Sequence, residues 1–144
     1  MKRKILRMLT LALSFVMLFT ITANAFATST RASAYFSYTE VVAIPTGNGN
    51  ITVEFEINAT KIMQEVGMTK IVIYERQSNG TYNAVKTFTR YNTSGMIETN
   101  ESYISSSVSY KGKTGTKYYA MAVFYAKDSK GSEELYDETS VITA

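Results

Sequence analysis

Residues 51–58 alternate without interruption, with Ile51, Val53, Phe55 and Ile57 on one phase and Thr52, Glu54, Glu56 and Asn58 on the other. A period of two puts each set on its own side of an extended chain, so this stretch predicts a strand with one dry face and one wet face. Residues 118–126 behave differently. Tyr118, Ala120, Ala122, Phe124 and Ala126 share one phase, and Tyr119, Met121, Val123 and Tyr125 fill the other. A strand apolar on both phases has no face to present to water and belongs in the middle of a sheet. Asp128-Ser129-Lys130-Gly131 closes it with a turn that leads to a hairpin partner.

The remaining pattern supplies five more strands. Residues 34–44 carry Tyr35, Phe36, Tyr38, Val41, Val42 and Ile44 and are expected to stop at Pro45, which cannot donate to a ladder. The Asn48-Gly49 turn follows. Residues 69–77 and 81–90 flank Ser78-Asn79-Gly80, a hairpin signal; residues 102–110 set Ile104, Val108 and Tyr110 against a row of serines; residues 135–143 form the last strand. Between the second and third strands, Ile62, Met63 and Val66 fall at helical spacing, with Thr60 as N-cap and Gly67 as C-cap. One short helical turn is expected there. Residues 91–101, rich in Asn, Ser and Thr, are expected to be irregular, with a short contact at Met96 and Ile97. Seven short strands joined by turns predict an all-β antiparallel sandwich.

The first residues carry an export signal. Lys2, Arg3, Lys4 and Arg7 precede an apolar run over residues 8–21, and Ala23-Asn24-Ala25 or Ala25-Phe26-Ala27 offers a small-x-small cleavage site. The expected organisation is a signal peptide with its helix over residues 1–27, cut after Ala25 or Ala27, a flexible tail over 28–33 and the sandwich over 34–144. The protein is expected outside the cell, with no membrane span after cleavage. Removal of the leader also changes the charge. The whole chain has fifteen basic and twelve acidic residues, and four of the basic ones lie in the leader. What remains is close to neutral, so the basic surface that nucleic-acid binding needs is missing.

Several motifs carry a resemblance. Ile51-x-Val53-x-Phe55 resembles the second strand of fibronectin type III domains, with Phe55 in the place of their usual Trp. Thr116-x-Tyr118 is similar to their tyrosine corner, with Tyr110 packing where those domains use Leu. The likeness covers residues 51–142 and implies a fibronectin- or immunoglobulin-like sandwich. The leader followed by Tyr35-Phe36, together with Met63-x-x-Val66-Gly67, Lys86-Thr87-Phe88 and Tyr110-x-Gly112-x-x-Gly115-x-x-Tyr118, also resembles a family of small exported proteins of Gram-positive bacteria whose function is uncharacterised. That resemblance implies secretion and assigns no catalytic residue.

The candidate chemistry is sparse. Without His or Cys the chain cannot form a Ser-His-Asp or Cys-His site or a His/Cys zinc centre. Glu54 and Glu56, two apart on one strand face, stand about 7 Å from each other. That separation suits an inverting glycosidase, but neighbours on a flat face cannot flank a sugar. Asp128, Glu133, Glu134, Asp137 and Glu138 could offer oxygen to Ca²⁺, although their spacing matches no calcium loop and Lys127 and Lys130 oppose a cation. No catalytic residue, metal or cofactor is therefore expected. All eleven Tyr fall after the leader. Tyr82, Tyr91 and Tyr136, near loops or strand ends, are the candidate ligand contacts, each a rigid ring with a polar tip. The expected role is a monomeric, non-enzymatic module that binds an extracellular protein or glycan. The alternatives are a self-associating structural protein or a carboxylate-dependent secreted enzyme.

Overall fold

The computed structural model describes residues 33–144; the leader, its helix and most of the predicted tail lie outside the described residues. Nine strands follow in order: β1 (Phe36–Gly47), β2 (Asn50–Met63), β3 (Glu65–Arg76), β4 (Tyr82–Thr89), β5 (Ile97–Glu98), β6 (Glu101–Lys111), β7 (Lys117–Asp128), β8 (Gly131–Glu138) and β9 (Ile142–Thr143). One sheet has the order β1-β2-β6. The other runs β4-β3-β7-β8, with β5 also on β3 and β9 also on β7. All pairings are antiparallel.

Seven long strands occur, as predicted, but the last is displaced from residues 135–143 to Gly131–Glu138, with Ile142–Thr143 a separate short strand, and one apolar core lies between the two sheets. Ile51, Val53, Phe55 and Ile57 are all buried, as their phase requires, and meet Ile71, Ile73 and the Tyr118, Ala120, Ala122, Phe124 phase of β7. Each large apolar side chain taken out of water here contributes about 1.5–3 kcal/mol. Ala120, Ala122 and Ala126 of β7 are fully buried beside Phe124 on this phase. Strand β7 is central, between β3 and β8. Its second phase, however, is not sealed. Tyr119, Met121 and Tyr125 are only half-buried on the outer surface of the sheet.

Three expectations are corrected. The segment predicted as a helical turn is extended: β2 continues through Met63, bends at Gln64 and resumes as β3 at Glu65, and no helix occurs among the described residues. The ladder to β6 shifts register between Asn58 and Met63. Met63 keeps the inward phase of Ile51 to Ile57, with Ile62 69% exposed, and the bend at Gln64 then switches the phase so that Val66 is buried as well. Gly67 is not a cap. It lies in β3 opposite Ile97 and Tyr125, at φ +152, where an added Cβ would stand 2.0 Å from the Met96 carbonyl oxygen. Pro45 does not end β1, which pairs on to Gly47. The strand is at a sheet edge, where a missing N–H can face outward without breaking a ladder. Finally, Ser33, assigned to the loose tail, is held in place. Its hydroxyl accepts from the Tyr35 and Phe36 amides at 3.1 and 2.7 Å and donates to Glu133 at 2.8 Å.

Candidate functional site

The β6–β7 turn folds back onto a buried polar cluster. Tyr118, at the start of β7, donates its hydroxyl proton to Glu75 at 2.7 Å and accepts from the Lys113 amide at 2.9 Å. Glu75 is the next residue on the inward phase after Ile71 and Ile73, so a carboxylate enters the core with only 6% of its surface exposed. The Lys113 ammonium, 2.7 Å away, and the Tyr118 hydroxyl compensate its charge and hold its carboxyl below the usual range. Burial pushes the Tyr118 hydroxyl up to about 12. A tyrosine that keeps its proton so firmly is no base at neutral pH. Tyr110 packs edge-on against Tyr118, with ring centres 6.0 Å apart.

The carboxylates proposed for sugar chemistry or calcium are arranged for neither. Glu54 and Glu56 face solvent in β2, with Glu40 of β1 directly across from Glu56. The recess among Glu40, Glu54, Glu56 and Ser105 measures about 70 Å³, far short of a sugar-binding cleft. At the β7–β8 turn, Asp128 accepts from the Lys130 and Gly131 amides at 2.7 and 3.1 Å, from the Tyr35 hydroxyl at 3.2 Å, and from the Lys61 ammonium. Its oxygens are thus occupied by donors. Along β8, Glu134 and Glu138 share a phase opposite to that of Glu133 and Asp137, so these groups do not converge.

Lys61 and the Lys130 amide hold the Asp128 carboxyl down to about 2, against an ordinary 3.8. A group lowered in the folded state contributes stability that is complete above its unfolded value and is lost as pH falls through the folded value. The melting temperature should therefore fall between about pH 4 and pH 2, and Asp128→Asn should flatten that limb. An acid limb unchanged by the substitution would show that Asp128 is not the group responsible.

The three candidate tyrosines all belong to the β4-β3-β7-β8 sheet or its margin, but they do not form one site. Tyr82 is half-buried in β4 and sits edge-on to Tyr119, 5.0 Å between centres. Tyr119 in turn lies flat on Tyr74, 4.8 Å away with 5° between planes. Tyr91, 90% exposed beyond β4, is joined to Tyr125 through Arg90, whose guanidinium stands 5.7 Å from one ring and 5.3 Å from the other. Glu65 anchors that guanidinium at 2.8 Å. Tyr136, 68% exposed, stands opposite Val123 in β8 and donates to Glu134 at 3.2 Å.

Loop proximity singled out Tyr82, Tyr91 and Tyr136 and passed over Tyr74, Tyr119, Tyr125 and Arg90, which the structure places beside them. The missed signal was phase: once Ile71 and Ile73 are inward, Tyr74 is outward and Tyr119 is its cross-strand partner. The tyrosines and Met121 therefore form an aromatic strip on the outer face of the sheet, with cations at Arg76, Lys117, Lys70 and Arg90 around it. Such a surface can stack, grip an apolar side chain and pair with an anionic group. No family model, no curated protein and no solved structure matches this chain.

Proposed function

We propose that the chain is a secreted, non-enzymatic binding module with a fibronectin type III-like sandwich, and that the outer face of the β4-β3-β7-β8 sheet grips a protein at the cell surface. The observation that carries this reading is the Tyr74–Tyr119 stack flanked by Tyr82, an ordered aromatic platform left half-open to solvent. Tyr, Met and Arg are the residues enriched at protein interfaces, and an exposed sheet face bearing them suits a protein partner. The leader supports export. The fold type is supported by the tyrosine corner at Tyr118 and by β4 pairing with β3 instead of joining the β1-β2-β6 sheet, which sets the chain apart from constant-type immunoglobulin domains.

The test is binding of the purified, labelled protein to intact cells of the producing organism. Saturable, protease-sensitive binding is expected. Tyr119→Ala and Arg90→Ala should each weaken it about tenfold or more, while Glu54→Ala on the opposite outer face leaves it unchanged. Circular dichroism confirms that the variants fold. Binding that survives protease treatment of the cells, or that ignores both face substitutions, rules the reading out.

A further inference from the structure

Of the sandwich edges, β6 is the one with the least protection: the register shift of β2 between Asn58 and Met63 touches only its first residues, and of the neighbouring loops Gly95 comes near the Ser106 hydroxyl. Edge strands ordinarily avoid pairing with other chains through prolines, bulges or charges. Strand β1 has Pro45 and two register shifts, β4 faces a register shift between Ile73 and Tyr74, and β8 carries Glu133, Glu134, Asp137 and Glu138 within eight residues. Strand β6 is eleven residues long, contains no proline, keeps an unbroken register with β2 from Tyr103 to Lys111, and has its only charges at its ends, Glu101 and Lys111. None of the backbone hydrogen bonds outside the ladders among the described residues reaches its far side.

The sequence of this edge complements itself. Laid antiparallel on a second copy with Ser106 on the two-fold axis, Glu101 falls opposite the second copy's Lys111, Ile104 opposite Val108, and Ser105 opposite Ser107. Both ends then form an opposite-charge pair, and the apolar residues meet on the core side. The small serines at the centre let the backbones approach without steric conflict. Glu54 and Glu56 of the two copies remain separated by both β6 strands, about 14 Å, where salt screens their repulsion.

We infer that β6 is a homodimerisation edge: two copies pair β6 to β6 about a two-fold axis at Ser106, joining their three-stranded sheets into one continuous six-stranded sheet. The occupant is a second copy of this chain because the charge pattern from Glu101 to Lys111 is complementary to its own reverse. The interface is isologous and closes at two copies. It leaves the tyrosine face of the other sheet free, and it replaces the expectation of a monomer.

Light scattering of the exported protein across a concentration series tests the pairing. The mass should rise towards twice the monomer value, and a constant monomer mass up to about 1 mM overturns the proposal. Lys111→Glu places like charges opposite each other at both ends and should raise the dissociation constant about tenfold, while the double variant Glu101→Lys, Lys111→Glu restores it. A dimer indifferent to the single reversal, or one that the double reversal fails to rescue, rules out this register. Because the chain has no cysteine, Ser106→Cys supplies a second readout. Under mild oxidation it should crosslink two copies within disulfide range, and Ser102→Cys, which lies opposite Tyr110, should not. Equal crosslinking of the two variants counts against the axis.

Discussion

Gly67→Ala should cost about 4 kcal/mol of folding stability, read as a fall in urea midpoint. The methyl group would stand 2.0 Å from the Met96 carbonyl oxygen, 2.8 Å from Ile97 Cα and 2.9 Å from the Met96 carbonyl carbon. All three are backbone atoms, so no side chain can swing aside. Relief requires β5 to lift off β3, which breaks the 2.6 Å hydrogen bond from the Met68 amide to Met96 and uncovers Met96, itself 1% exposed. The φ of +152 adds strain for any residue with a Cβ. Gly47 provides the comparison. It also has positive φ, but nothing lies within 4 Å of its added Cβ, so Gly47→Ala should cost only about 1 kcal/mol. If the two losses are equal, β5 is not clamped against β3 as described.

Tyr118→Phe should cost about 2–3 kcal/mol although it removes a single atom. The hydroxyl serves two groups, the buried Glu75 carboxylate and the part-buried Lys113 amide. Without it the carboxylate keeps only Lys113, and the amide has no acceptor. A double-mutant cycle with Glu75→Gln should give a coupling of at least about 1 kcal/mol, and additive losses would mean that the pair does not interact. The same hydroxyl governs alkaline behaviour. Its folded value, about 12, lies above the ordinary 10.0. The stability it contributes is therefore complete below pH 10 and is lost as pH rises through 12. Tyr35, Tyr38, Tyr119 and Tyr136 are also raised, so ultraviolet titration should find several late-ionising tyrosines, one fewer in Tyr118→Phe.

Much of this fold was readable where one side of a strand is wet. Residues 51–58 announce their inward face because Thr52, Glu54, Glu56 and Asn58 cannot enter a core. The reading failed where periodicity is interrupted. The bend at Gln64 slips the phase, so that Met63 and Val66 point the same way at a spacing of three, which imitates a helix turn. It also failed where both phases are apolar. Residues 118–125 reveal that β7 is central but not that Tyr119 and Tyr125 lie on an open face, because burial of the second phase depends on whether another layer covers it. Glu75 and Tyr74 show the limit of composition most clearly. The charged residue is inside and the aromatic one outside, and only their register with Ile73 reveals it.

The ladders that close the two sheets, β2 with β6 and β3 with β7, each join strands about fifty residues apart in the chain. Hairpins such as β1–β2 can form early, but neither layer is complete until its distant partner arrives, and wiring of this kind condenses in milliseconds to seconds. While β6 and β7 are still being synthesised, β2 has only its hairpin partner β1 to pair with, and β3 only β4 and the short β5. Both layers are therefore closed only by residues that follow position 100.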